Sequence, residues 1–134
     1  MNSFQPSTQT ILVVEDDYFI RFNVAEYLGD CGWHVVEAGS AAEAIAILET
    51  GVPVALVFSD IQMPGQMNGL GLANWIRENR PGLRIILTSG VVEASEAAAT
   101  LCDEGPIAKP YDHQRLADRI RYYLRPIEEG PLIR

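Results

Sequence analysis

The chain reads as an α/β domain with a doubly wound, five-stranded parallel sheet. Three observations lead there. Strand-like apolar runs recur five times, at residues 11–14, 34–38, 54–59, 83–87 and 107–108, and segments of helical character separate them. The runs at 11–14 and 54–59 are apolar almost throughout, as strands covered on both faces require. Four of the runs end abruptly in charged or hydroxyl residues, which is how strands of an open parallel sheet terminate beside a site. Right-handed crossovers with helices on both faces then give the flavodoxin-like strand order 2-1-3-4-5.

Each element has its own justification. After the first strand, Ile20, Val24, Tyr27, Leu28 and Cys31 recur at helical spacing, and Gly32 closes that helix as a left-handed C-terminal residue. Asp17 stands where its cap belongs. His34-Val35-Val36-Glu37-Ala38 alternates polar with apolar and predicts an edge strand. Ser40-Ala41-Ala42-Glu43 has the form of a capping box, opening a helix that buries Ala44, Ile45 and Leu48 before Gly51. Leu72, Ala73 and Ile76 mark a third helix ending between Asn79 and Gly82. An alanine-rich segment from Glu93 to Asp103 predicts a fourth, and Asp112 caps a last helix whose inward residues are Leu116, Ile120, Tyr123 and Leu124. The domain is expected over residues 10–125, between a short N-terminal segment (1–9) and a tail (126–134).

At 134 residues the chain suits one domain able to bury a core without staples. Its hydrophobic share (48%) and charged share (21%) are those of an ordinary globule. A formal charge of -8 with no basic stripe argues against a nucleic-acid partner. Cys31 and Cys102 belong to no metal or redox pattern and read as reduced, buried small hydrophobes. The start has no signal-peptide character and no stretch is long enough to span a bilayer, so the expected compartment is the cytoplasm and no membrane insertion is expected.

The strand ends carry the chemistry. Glu15-Asp16 follows the first strand, Asp60 the third, Thr88-Ser89 the fourth and Lys109 the fifth. In a parallel sheet these ends lie on one edge, about 4.8 Å apart from strand to strand. Asp60 taken alone reads first as a cap for the Met63-Pro64-Gly65 turn, and Lys109 has the rival reading of a surface lysine before a turn. Together, three carboxylates, a hydroxyl and an ammonium converge. Packed carboxylates repel one another unless a cation neutralises them. Mg²⁺ answers that need, because it takes a few carboxylates and completes its shell with water and phosphate oxygens. Lys109 and Thr88 then favour an anion beside the metal, with phosphoryl the obvious candidate.

In Val14-Glu15-Asp16-Asp17, Asp60-Ile61-Gln62-Met63-Pro64, Thr88-Ser89 and Lys109-Pro110-Tyr111, residues 11–124 resemble a response-regulator receiver domain of two-component signalling, of the stand-alone, single-domain type. The resemblance implies that Asp60 is the phospho-acceptor, served by Lys109 and Thr88. It implies Mg²⁺ binding by Asp16 and Asp60, by the Gln62 backbone carbonyl, and by Glu15 at or near the metal through water. Ser89 and Gln62 would line the phosphoryl site, with Gln62 able to orient the water that hydrolyses the acyl phosphate. The Lys109–Pro110 bond would be cis. The implied partners are a sensor histidine kinase or histidine phosphotransfer protein and a downstream protein target, with a homodimer left open. Output would run through the fourth helix, fifth strand and last helix, with Arg115, Asp118, Arg119, Tyr122 and Tyr123 as contacts.

The chain also departs from that family. Pro106 occupies the position, three before the lysine, where many receivers carry a switching aromatic residue. The loop from Met63 to Gly69 is about one residue longer than its commonest form, and Gly90 offers no side chain to exclude water. Other readings are weaker. An aspartate-nucleophile hydrolase would need a second acid where Gln62 stands. Gly69-Leu70-Gly71 lacks the third glycine of a dinucleotide fingerprint. A receiver-like docking module that works without phosphorylation is the serious competitor, although it would normally have lost one of the acids, the threonine or the lysine. His34 and His113 read as surface residues away from the acids, and Trp33 and Trp75 as packing or half-exposed aromatics.

Overall fold

The computed structural model describes residues 8–90 and 106–126. The strands are β1 (Thr10–Val14), β2 (His34–Ala38), β3 (Leu56–Asp60), β4 (Arg84–Ser89) and β5 (Ile107–Ala108). The helices among the described residues are α1 (Tyr18–Asp30), α2 (Ala41–Glu49), α3 (Gly69–Asn79) and α4 (His113–Leu124). All strand pairs are parallel and the order is β2-β1-β3-β4-β5, as the alternation of elements predicts. The helix expected between Glu93 and Asp103, together with Cys102, lies outside the described residues, as does most of the tail.

Alternation along each strand divides the core into two layers. Ile11 and Val13 of β1, Leu56 and Phe58 of β3 and Ile86 of β4 meet Val24 and Leu28 of α1 and Leu116, Ala117 and Ile120 of α4. Leu12 and Val14, Val57, and Ile85 and Leu87 face the other way, onto Ala44 and Leu48 of α2 and Leu72, Ala73 and Ile76 of α3. A one-residue slip in any central strand would exchange these layers, so burial on both faces pins the register.

Local signals behave as the sequence suggests, with informative exceptions. The Asp17 carboxylate accepts from the Phe19 and Ile20 amides, and Gly32 adopts φ 110°. Ser40 accepts from the Glu43 amide, but Glu43 returns its bond to the Gly39 amide rather than to Ser40. Ile20 is a correction. It was expected inside, yet it is 41% exposed. It sits in the first turn of α1, beyond the sheet edge, where it borders a shallow cavity with Lys109, Pro110, Tyr111 and His113. Cys31, expected to be buried, is only partly so. His113, expected at the surface, is half-buried against the rings of Tyr27 and Tyr111. Trp33 and Trp75 each pack partly against one core layer.

The functional strands run further than their apolar cores. β3 includes Asp60 and β4 includes Thr88 and Ser89, with Asp60 paired to Thr88, Thr88 to Ile107 and Ser89 to Ala108. The backbone is held beyond that rung as well, since the Ile61 amide donates to the Thr88 carbonyl and the Lys109 amide to the Ser89 carbonyl. These side chains therefore start from ladder positions rather than from loose loops.

Gly69 closes the same region from below. Its amide donates to the Ile61 carbonyl at 2.9 Å. A Cβ built there would overlap the Asp60 carbonyl oxygen and lie 2.7 Å from the Ile61 Cα, backbone atoms that cannot swing aside. At Gly71 the close neighbour is the Met67 side chain, which can move. Gly69→Ala is expected to destabilise the fold by about 1–3 kcal/mol through overpacking, while Gly71→Ala stays within about 1 kcal/mol because helix propensity offsets the crowding. Urea unfolding midpoints of the two variants test this; equal midpoints would refute it.

Candidate functional site

The two residues that follow β1, and the last rung of β3, bring three acids together. Carboxylate oxygens of Glu15, Asp16 and Asp60 all lie within 4.8 Å of one another, with Glu15 and Asp60 buried and Asp16 exposed. At that separation, and with an effective dielectric near 20, two ionised carboxylates repel by about 3 kcal/mol. One cation is already supplied. Lys109 Nζ lies 3.0 Å from Asp60 Oδ2, and the Gln62 amide donates to Asp60 Oδ1 at 3.3 Å. Both oxygens of Asp60 thus have a donor. With all three carboxylates ionised, the one ammonium would leave the pocket two charges negative.

Glu15 is held toward its protonated form. Burial pushes its carboxyl up from 4.5 to about 7, and the Asp60 charge adds to the rise, while the Asp17 amide and Lys109 pull it back. The Asp17 N–H donates to Glu15 Oε2 at 3.1 Å. Arg21, one turn into α1, fastens this loop: its Nη1 donates to the Glu15 carbonyl at 2.7 Å and its Nε pairs with Glu37 of β2 at 3.1 Å. Sequence reasoning missed Arg21 and Gly69. Only α1's direction over the β1 end makes Arg21 a brace, and no spacing rule reports that.

On the far side of Asp60, the buried Thr88 hydroxyl donates to the Ile107 carbonyl at 2.8 Å, tying β4 to β5. The buried Ser89 hydroxyl donates to Gln62 Oε1 at 2.9 Å. The Lys109–Pro110 bond is cis. Tyr111 packs edge-on against Phe58, and burial, with the Glu15 and Asp60 charges adding, raises its phenol well above the usual range. The site residues anticipated from the strand ends are therefore gathered on one edge.

The surface residues on α4 lie apart from this cluster. Arg115 and Asp118 are exposed, and Asp118 pairs with Arg121. Arg119 is half-buried, and Tyr122 is exposed beneath the Arg125 guanidinium at 3.8 Å from the ring centroid. Tyr123, grouped with them as a contact, instead faces the core.

The raised Glu15 carboxyl has a thermodynamic consequence. From about pH 4.5 to about pH 7 the unfolded chain has released a proton that the folded chain keeps, so this group makes stability fall as pH rises. Without divalent cations, the parent should lose on the order of 1–3 kcal/mol across that window relative to Glu15→Gln. Urea unfolding in chelator at several pH values measures the difference, and parallel curves for the two proteins would contradict it.

Comparison with known proteins agrees with this architecture. Residues 11–121 match the family described as response regulator receiver domain. The sensor kinase CckA of Brucella abortus is 34% identical over 118 residues, covering 86% of this chain and 12% of its own length. The transcriptional regulatory protein AruR of Pseudomonas aeruginosa is 33% identical over 125 residues, covering 90% of this chain and 51% of its own. The chain thus spans about half or less of the curated relatives it matches. Among solved structures, the response regulator TrrA of Thermotoga maritima, in complex with Mg(2+)-BeF, superposes with a TM-score of 0.79 at 30% identity, covering 87% of this chain and all of its own. A CheY-like receiver domain protein from Methanospirillum hungatei gives 0.78 at 29% identity, covering 87% and 93%. With the family matched over most of its length and the acid cluster, lysine and strand order in register, the chain belongs to the response regulator receiver domains.

Proposed function

We propose that Asp60 accepts a phosphoryl group from a phosphohistidine on a sensor histidine kinase or histidine phosphotransfer protein, and that the phosphorylated state alters contacts with a downstream protein. The observation that carries this reading is the Asp60 carboxylate itself. It is buried, paired to Lys109 at 3.0 Å, and within 4.8 Å of two further carboxylates whose joint charge calls for a divalent cation.

The all-oxygen donor set and the uncompensated charge fit Mg²⁺. Asp16, Asp60 and the Gln62 carbonyl would hold it, with Glu15 reached through water. Bound there, Mg²⁺ supplies positive charge to the phosphoryl oxygens. The Mg(2+)-BeF complex of the Thermotoga relative supports the assignment.

The transfer needs little covalent help from the protein. An Asp60 oxygen attacks the phosphorus as the bond to the imidazole nitrogen breaks, and that nitrogen departs with the electron pair. Lys109, already on the carboxylate, follows the charge onto a phosphoryl oxygen. The Thr88 hydroxyl is available to a second oxygen only by leaving the Ile107 carbonyl, at a cost of about 1 kcal/mol. That exchange gives the domain two arrangements, and the phosphoryl group shifts their balance by its differential affinity for them. Since Pro106 stands where a switching aromatic is usual, the message leaves through the β4–β5 tie itself. Ser89 and the Gln62 side chain line the phosphoryl site, and Arg115, Asp118, Arg119 and Tyr122 are the proposed output contacts. We place the exchange in the cytoplasm.

Incubation with acetyl phosphate and Mg²⁺, followed by intact-protein mass measurement, should give one phosphoryl adduct that is lost in Asp60→Asn and under chelation. A module that docks without phosphorylation would give none. In Lys109→Met, adduct formation should slow on the order of tenfold or more, as removal of a charge-stabilising donor does; an unchanged rate would exclude the proposed role of the ammonium.

A further inference from the structure

Arg21 stands outside the acid cluster, yet it holds the backbone from which two of the three acids project. Glu15 and Asp16 occupy the short turn between β1 and the Asp17 cap of α1. The Glu15 amide donates to the Ala38 carbonyl at the end of β2 at 3.1 Å, and the Glu15 carbonyl accepts from Arg21 Nη1 at 2.7 Å. That carbonyl and the Asp16 N–H belong to one planar peptide unit. Gripping the oxygen sets the plane, and with it the direction in which the Asp16 side chain leaves the backbone. Asp16 is the exposed member of the three acids, so it has the least packing of its own to orient it.

The guanidinium is itself held from several sides. Its Nε pairs with the Glu37 carboxylate at 3.1 Å, its Nη1 takes the Glu15 carbonyl, and the Tyr18 ring centroid lies 5.4 Å from Cζ. The side chain is only 17% exposed. A rigid fork that serves two acceptors at once is available to arginine and not to lysine. A positive charge beside a cation site would ordinarily oppose the cation. Here Glu37 matches that charge, so the hold comes with little added repulsion.

We propose that Arg21 is a positioning residue for divalent-cation binding: it fixes the Glu15–Asp16 peptide so that the Asp16 carboxylate meets those of Glu15 and Asp60 on one ion. The inference rests on the metal site proposed above. Charge and positioning predict opposite signs. A guanidinium acting only as a charge would, on removal, let the cation bind more tightly. A guanidinium that holds the peptide would, on removal, let it bind more weakly.

The test titrates Mg²⁺, without phosphodonor, into ¹⁵N-labelled parent, Arg21→Gln and Arg21→Lys proteins and follows the backbone amide resonances of Asp16, Ile61 and Gln62. Arg21→Gln should raise the Kd on the order of tenfold, as loss of a group that orients a metal ligand does. Arg21→Lys, which keeps the charge but not the fork, should fall between Arg21→Gln and the parent. In an Asp16→Asn background, Arg21→Gln should change the Kd by less than about twofold, because Arg21 acts through Asp16. A general loosening of the fold would weaken both backgrounds alike. Parent-like or tighter Mg²⁺ binding in Arg21→Gln, or equal weakening with and without the Asp16 carboxylate, overturns the proposal. A parent protein with no saturable Mg²⁺ response would remove the metal site itself, and this inference with it.

Discussion

Everything at the working edge of this domain follows from confining three carboxylates and one ammonium at the ends of adjacent strands. Such a group is costly to assemble. Buried ions lose hydration, and the attraction of Lys109 for Asp60 offsets only part of the repulsion among the acids. The fold meets the cost by spending backbone donors on it. Asp17 and Gln62 present N–H groups to Glu15 and Asp60, and Arg21 grips the Glu15 carbonyl. What remains unbalanced is a local excess of negative charge, the property that suits such a cluster of oxygens to a divalent cation.

The rest of the architecture serves this confinement. Among the described residues, two helices on each face bury the central strands so completely that their register cannot drift. Register in turn puts Asp60, Thr88 and Ile107 on neighbouring rungs. The Thr88 hydroxyl spans the gap to the Ile107 carbonyl, so a change of charge at Asp60 is one side-chain rotation away from the edge of the sheet. Gly69 lets the start of α3 pack directly against the backbone of Asp60 and Ile61, which stiffens the end of β3 from beneath.

Much of this was legible in the sequence, for physical reasons. Apolar alternation reports burial, so the strands, the two-layer core and the gathering of Asp16, Asp60, Thr88 and Lys109 on one edge followed from pattern alone. Turn and cap chemistry is local, so Asp17, Gly32, Ser40 and Asp112 were readable as well. What escaped was whatever depends on the direction of a side chain once the elements are packed. Ile20 satisfies helical periodicity but sits past the edge of the sheet, where periodicity no longer means burial. Arg21 reaches a carbonyl six residues back and a carboxylate on another strand. The need for glycine at 69 arises only where a helix start meets a strand end nine residues earlier, and the partner of Ser89 is one choice among several polar neighbours.

Because Asp60 and Thr88 occupy paired rungs, their placement is written into backbone geometry that no surface substitution alters. The side chains of Phe19, Ile20 and Pro64 are free of that duty and largely exposed. The fixed rungs and the exposed rim are therefore separate parts of the molecule. Substitutions at the exposed rim can accumulate while the paired rungs beneath keep their geometry.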